Sequence, residues 1–159
     1  MSKPTNKHPI TVILEDIRSA LNVGAMFRTA EAASIDELIL TGITPYPPHK
    51  RIPKTALGAV EMVNWKHIQN KREAVDYVAM KMPLLAVELT DSAVIYSDQT
   101  YHQPTGLIFG NEISGVSLYA LKKSTGHIRI PMFGQKESLN VATAFGIVIY
   151  EIIRQIQST

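Results

Sequence analysis

Short runs of β-branched and other aliphatic residues alternate with segments of helical periodicity along this chain. The runs predict strands at residues 10–14, 37–40, 63–65, 84–89, 106–109 and 128–130. Apolar residues at helical spacing predict helices at residues 22–33, 56–61, 71–81, 117–123 and 141–156. This alternation favours an α/β fold with a mostly parallel sheet flanked by helices. We therefore expect one domain over all 159 residues, with residues 1–9 as a flexible start.

The composition excludes several kinds of site. The chain has no cysteine, so disulfides and cysteine-ligated zinc are ruled out. The histidines stand singly, without a metal-binding spacing or a Ser-His-Asp set, at His8, His49, His67, His102 and His127. We expect no metal site.

Charge and hydropathy indicate the cellular location of the protein and the partners it can bind. A net charge of +2 is only mildly basic and does not by itself identify a nucleic-acid binder. Residues 1–9 are polar and lack the apolar core of a secretory signal. The longest apolar run, at residues 145–150, is too short to span a bilayer. We expect a cytoplasmic protein that does not associate with membranes.

Residues 128–151 have the pattern of a strand, a polar loop and a helix. The predicted strand at 128–130 is closed by Pro131, which cannot donate to a sheet ladder. Ser138 or Asn140 can cap the following helix, because a short side-chain oxygen accepts from free first-turn N–H groups. Ligands bind at the carboxyl ends of strands in open α/β sheets. We expect this loop to form half of a ligand site.

A second glycine-bounded loop follows the predicted strand at 106–109. Gly110 and Gly115 have the spacing of a phosphate-binding loop, but Val116 stands where such a loop needs lysine. A nucleoside triphosphate site is therefore not expected. The glycines still allow a ligand to approach the backbone, beside the polar groups of Asn111 and Glu112. The alternative is a tight turn with a solvated glutamate.

The predicted helix at 22–33 carries two polar residues that have structural as well as functional interpretations. Asn22 is at its start, where it is expected to cap the helix. Arg28 is in its interior, where a surface arginine that extends its head group to water is the alternative to a functional role.

Three segments together resemble the SpoU (TrmH-type) RNA 2′-O-ribose methyltransferases of the SPOUT superfamily. They are Asn-Val-Gly-Ala-Met-Phe-Arg at 22–28, Ile-Phe-Gly-Asn-Glu-Ile-Ser-Gly at 108–115, and Ile-Pro-Met at 130–132 followed by Ser-Leu-Asn-Val-Ala at 138–142. Each is weak alone, but the three in this order are specific. The resemblance covers nearly the whole chain after residue 10.

The resemblance implies a homodimeric SPOUT α/β-knot domain with a trefoil knot at its carboxyl end. It implies that the protein binds S-adenosylmethionine and methylates a ribose 2′-hydroxyl of tRNA or rRNA. A non-catalytic RNA-binding module with the same fold is the alternative. The expected cofactor-binding residues are Leu107, Phe109, Gly110, Ile130, Met132, Ser138, Leu139, Asn140 and Val141.

The same resemblance assigns catalysis to Arg28, with Asn22, Glu112, Ser138 and Asn140 arranging the site. A guanidinium group stays protonated in proteins, so Arg28 is not expected to remove a proton. We expect it to clamp the adjacent phosphate and to stabilise the developing alkoxide.

The expected RNA surface lies in a long, proline-rich irregular stretch at residues 42–54, and loops of this length are usually functional or mobile. Its basic residues are His49, Lys50, Arg51 and Lys54, and further candidates are Lys122, Lys123 and Arg129. A solvated charged loop is the alternative. Dimerisation is expected through the apolar excess of the helices at 22–33 and 141–156.

Overall fold

The computed structural model describes residues 6–159. Within this range the chain forms five α-helices, one short 3-10 helix and seven strands. In chain order they are β1 (His8–Glu15), α1 (Ala20–Ala33), β2 (Ile35–Thr41), α2 (Pro53–Ala56), the 3-10 helix (Ala59–Glu61), β3 (Trp65–Ile68), α3 (Lys71–Ala79), β4 (Leu84–Val87), β5 (Val94–Ile95), β6 (Thr105–Phe109), α4 (Leu118–Lys123), β7 (Gly126–Arg129) and α5 (Val141–Gln157).

The strands form one sheet in the order β3-β2-β1-β6-β4-β7-β5. All the pairings are parallel, so the carboxyl ends of all seven strands lie along one edge. The chain runs outward from β1 to β3 and then continues on the other side of β1. The predicted parallel sheet is confirmed, and its strand order reverses between β1 and β6, which is where open α/β sheets form ligand clefts.

Helices cover both faces of the sheet. One apolar cluster packs α1, α2 and α5 against residues such as Val12, Leu40 and Leu107. The other packs α3 and α4 against residues such as Ile13 and Ile108. Neighbouring residues of one strand thus face different clusters, as the alternation of side chains along a strand requires. None of the helices in residues 6–159 is both long and apolar enough to cross a bilayer.

The structure corrects the predicted N-cap of α1 and decides between the two predicted N-caps of α5. Ser19, not Asn22, caps α1, because the Ser19 hydroxyl accepts from the backbone N–H of Asn22. The helix therefore begins before the predicted position, and the side chain of Asn22 is free for another contact. Asn140 rather than Ser138 caps α5, with its Oδ1 accepting from two first-turn N–H groups.

Other boundaries differ from the prediction at irregular segments. The single helix predicted at 56–61 is wrong, because Leu57 and Gly58 adopt positive φ and separate α2 from the 3-10 helix. β4 ends at Val87, and the short strand β5 had no apolar run long enough to predict it. Residues 1–5 of the predicted flexible start lie outside the described residues, whereas His8 already belongs to β1. The trefoil knot stays a prediction.

Candidate active site

A cleft of about 580 Å³ opens at the carboxyl ends of β4, β6 and β7. Its walls come from residues 87–89, 109–115, 129, 130, 132 and 137–141, together with Asn22 of α1 and Ala144 of α5. It therefore contains parts of all three sequence motifs, although these are far apart along the chain.

Most of the residues expected to bind the cofactor line this cleft. Leu107 does not, because its side chain is fully buried in the core two residues before the end of β6. The residues that do line it are Phe109, Gly110, Ile130, Met132, Ser138, Leu139, Asn140 and Val141.

The loop after β6 is folded back on itself. Asn111 and Gly115 exchange backbone hydrogen bonds of 3.0 and 3.2 Å, which brings Gly110 against Gly115. A Cβ on Gly110 would overlap the backbone of Gly115, and a Cβ on Gly115 would overlap the carboxylate of Glu88. Gly115 also has φ +76°. Both glycines are therefore required for the close packing of the loop itself.

Glu112 ties this loop to the start of α1. Its carboxylate accepts from the backbone N–H groups of Arg18 at 2.7 Å and Ser19 at 3.0 Å, and from Asn22 Nδ2 at 3.0 Å. Partial burial opposes ionisation, but these donors outweigh it and lower the pKa of Glu112. The tight-turn alternative accounts for the exposure of this glutamate but not for its three donors.

Asn22 and Asn140 complete a polar chain across the cleft. Asn140 Nδ2 donates to Asn22 Oδ1 at 3.1 Å, while Asn140 Oδ1 accepts from the N–H groups of Ala142 and Thr143. The series Glu112–Asn22–Asn140 thus joins one residue from each motif. Ser138 lines the cleft but forms no hydrogen bond with another residue in the described range.

Arg28 is not brought into the cleft of its own chain. It is exposed on α1 and forms no ion pair or hydrogen bond with the other residues in 6–159. It lies six residues beyond Asn22, which is about 9 Å along the helix axis. The cleft as seen in a single chain therefore lacks its expected catalytic arginine.

Two further carboxylates were missed from the sequence. Glu88 lines the cleft and accepts from the backbone N–H groups of Val116 at 2.9 Å and Leu89 at 3.1 Å. Glu15 is 1% exposed and accepts from both the N–H and the hydroxyl of Ser117. Their sequence positions could have identified them, because Glu15 directly follows a predicted strand and Glu88 is the next-to-last residue of another, so both are near the carboxyl end of a strand.

The basic residues are divided between the two edges of the sheet. His49, Lys50, Arg51 and Lys54 are all exposed on the segment that follows β2, at the cleft edge. Arg129 lines the cleft itself. Lys122 and Lys123 end α4 just before β7 begins, so they lie toward the opposite edge, where Lys123 pairs with Asp76 at 3.7 Å. No group of residues in 6–159 could hold a metal ion.

Residues 9–150 match the SpoU rRNA Methylase family. This chain belongs to that family. The resemblance seen in the three motifs is thereby confirmed, and residues of all three motifs line the cleft of this SpoU-family chain.

Two relatives give the extent of the similarity. This SpoU-family chain is 33% identical over 153 residues to the tRNA (guanosine(18)-2′-O)-methyltransferase of Escherichia coli strain K12, covering 94% of this chain and 65% of that protein. It is 31% identical over 147 residues to the protein of the same name from Thermus thermophilus, covering 92% and 75%. The chain thus spans just under two thirds of the length of the E. coli relative.

The fold is shared with solved structures. The AdoMet-bound rRNA methyltransferase from Sinorhizobium meliloti superposes with a TM-score of 0.85 at 28% identity, covering 94% of this SpoU-family chain and 59% of that one. The parallel sheet with helices on both faces is therefore the fold of this family.

Proposed function

We propose that this chain transfers a methyl group from S-adenosylmethionine to a ribose 2′-hydroxyl of tRNA or rRNA in the cytoplasm. The polar series Glu112–Asn22–Asn140 carries the proposal, because it joins the three family motifs at one cleft. The names of the E. coli and T. thermophilus relatives, which are tRNA 2′-O-methyltransferases, support the same reaction.

The cleft suits S-adenosylmethionine in size and in charge. A volume of about 580 Å³ lies within the range of roughly 300–1,000 Å³ that small-molecule sites have. Its lining includes the carboxylates of Glu88, Glu112 and Glu137 but a single cation, Arg129. This cofactor supplies an electrophilic methyl group on a sulfonium and also carries an ammonium group, so a negative wall favours it and disfavours a triphosphate.

Different residues of the cleft would contact different parts of the cofactor. Apolar side chains such as Ile130, Leu139 and Val141 line the cleft and can pack against an adenine ring, and the 110–115 loop forms a closely packed wall beside them. We propose that the site is formed by the eight expected cofactor residues that line the cleft, with Glu88 as an addition.

A homodimer would complete the site. The exposed side of α1 carries Arg28 among small and apolar residues such as Ala25 and Ala32, and on α5 Tyr150 is 49% exposed. A second copy that covers these helices would bury this apolar surface. Because Arg28 lies on that side and outside its own cleft, we propose that it acts at the cleft of the other copy.

Arg28 would act as a clamp rather than as a base. Its planar fork can hold two oxygens of the phosphate beside the reacting ribose and stabilise the alkoxide as it forms. When bound, S-adenosylmethionine would supply the methyl group by loss of its S–CH3 bond and would leave as the neutral thioether, while the proton of the 2′-hydroxyl would pass to a phosphate oxygen or to water. Replacing Arg28 with Lys keeps the charge and removes the fork, so single-turnover methylation should slow by about 100-fold. An unchanged rate would refute the clamp.

The reaction is tested with total RNA from a strain that lacks the gene. Purified protein and S-adenosylmethionine should add a 2′-O-methyl nucleoside, which mass spectrometry of nuclease digests identifies. Methylation of a base would contradict the proposed reaction. Binding of RNA without methyl transfer would support the non-catalytic alternative.

The composite site is tested by mixing two inactive variants. Dimers formed from equal amounts of Arg28→Ala and Asn140→Ala chains should recover about one quarter of the wild-type activity, because half of the dimers are mixed and each has one intact site. If Arg28 served the cleft of its own chain, mixing would restore nothing.

A further inference from the structure

An exposed aromatic ring lies in the basic segment after β2 and has no part in the cleft. The ring of Tyr46 stacks on His67 of β3 with centroids 3.8 Å apart and an interplanar angle of 17°. Tyr46 is 44% exposed although His67 covers one face of its ring. His67 Nε2 is buried and has no hydrogen-bond partner in residues 6–159. The contact of this imidazole with Tyr46 is therefore one of ring packing and not part of a polar network.

Two successive turns hold this ring in place. The N–H of His49 donates to the carbonyl of Tyr46 at 3.1 Å, and the N–H of Ile52 donates to the carbonyl of His49 at 3.2 Å. Ile52 is fully buried and anchors the second turn. At the start of the segment, the Thr44 hydroxyl donates to the carbonyl of Leu14. The surface is therefore shaped before any ligand binds.

The charged side chains of the segment that carries the ring have one sign. Residues 42–60 include His49, Lys50, Arg51 and Lys54 but no aspartate or glutamate. These four form no ion pair with another residue in 6–159, whereas Lys66 and Lys71 on the adjoining elements pair with Glu37 and Asp16. Unpaired cations beside an open aromatic face are the combination that binds single-stranded nucleic acid, because cations hold phosphates while the ring stacks on a base.

We propose that the exposed face of Tyr46 stacks on an unpaired base of the substrate RNA while Lys50, Arg51 and Lys54 hold the adjoining phosphates. This inference rests on the proposed function as an RNA methyltransferase. β3 is three strands from β6 in the sheet, which corresponds to about 14 Å. The stacked base is therefore a neighbour of the methylated nucleotide and not that nucleotide itself. Unstacked bases in loops and bulges are what RNA-binding proteins hold on aromatic side chains.

The test measures binding of a short single-stranded RNA and of its abasic counterpart by fluorescence anisotropy. Tyr46→Leu should weaken binding of the normal RNA by about 10-fold or more and leave binding of the abasic RNA unchanged. Tyr46→Phe should keep the wild-type affinity, because it keeps the ring. The salt dependence should not change with Tyr46→Leu, but it should weaken when Lys50, Arg51 and Lys54 are replaced with Gln.

Controls separate stacking from a structural role and from the proposed function. Met80→Ala removes an exposed apolar side chain at the end of α3 and should bind both RNAs as the wild type does. An equal loss of affinity for normal and abasic RNA with Tyr46→Leu would mean that the ring only shapes the segment, and would overturn the proposed stacking. Equal affinity of Tyr46→Leu and wild type would also overturn it and leave the methyltransferase proposal intact. Failure of the wild type to bind any RNA would overturn both.

Discussion

The loops after β6 and β7 meet at the same cleft but are held in different ways. Residues 110–117 are fixed from both sides, since Glu15 and Glu88 accept from their backbone and Glu112 reaches out to the start of α1. Residues 131–139 form no hydrogen bond with any other part of the chain from residue 6 onward. In that second loop Phe133 is 95% exposed.

This difference indicates two ways of building one site. The first loop is held by hydrogen bonds within a single chain, so its conformation is fixed before a cofactor binds. The second loop offers side chains whose contacts come from outside the chain: the cofactor, the RNA or a second copy. Substitutions in the first loop should therefore act mainly on folding, and substitutions in the second mainly on binding.

The comparison is sharpest for one glycine from each loop. A Cβ on Gly110 would overlap the backbone of Gly115, whereas a Cβ on Gly134 would meet nothing within 4 Å. Gly110→Ala should lower the free energy of unfolding by about 3 kcal/mol or prevent folding, because backbone atoms cannot move aside. Gly134→Ala should change it by less than about 0.5 kcal/mol. Urea unfolding measures both, and similar losses for the two variants would remove the distinction between the loops.

Features that leave a pattern in consecutive residues could be predicted from the sequence. Alternating apolar runs reveal a parallel sheet because burial on both faces leaves a pattern in consecutive residues. The three motifs reveal the cleft because their residues recur in a known family. The local sequence predicts a helix cap at Asn22, while the family resemblance places Asn22 in the site. The structure shows that Ser19 caps α1 and that Asn22 binds Glu112 and Asn140.

The contacts that were missed depend on long-range geometry. Glu15 and Glu88 are separated by 102 and 28 residues from the N–H groups of Ser117 and Val116 that they bind, so their support of the 110–117 loop depends on the tertiary fold. Leu107 shows the opposite error, since a motif position was assigned to the cofactor although its side chain faces the core. Stacking of Tyr46 on His67 likewise joins two segments that are not adjacent in sequence.

Ser138 near the end of the second loop and Asn140 at the start of α5 should behave differently. Asn140 caps α5 and also binds Asn22, so Asn140→Ala should cost about 1 kcal/mol of stability. Ser138 has no hydrogen bond with the rest of the described chain, and Ser138→Ala should leave thermal stability unchanged while reducing methylation. Calorimetry and the methylation assay together measure both effects. A loss of stability in Ser138→Ala would show that this loop is held within the chain after all.

The smallest expected effect concerns pH and compares one cleft glutamate from each loop. The pKa of Glu112 in the folded chain lies below its ordinary value of 4.5, because the donors from Arg18, Ser19 and Asn22 outweigh the cost of burial. Its ionised form is therefore bound more favourably in the folded state, so its contribution to stability is complete above about pH 4.5 and is lost as the pH falls through the lowered value.

Glu112→Gln should remove this component. The free energy of unfolding, measured with urea in steps from pH 7 to below pH 4, should fall less with acid in Glu112→Gln than in the wild type, so that the two curves converge at low pH. Glu137 lines the cleft from the second loop and has no hydrogen bond within the described residues, so Glu137→Gln should leave the free energy of unfolding at pH 7 unchanged. If Glu112→Gln followed the wild-type curve, the carboxylate would not be what joins the loop after β6 to α1, and the greater order of that loop would have to come from Glu15 and Glu88.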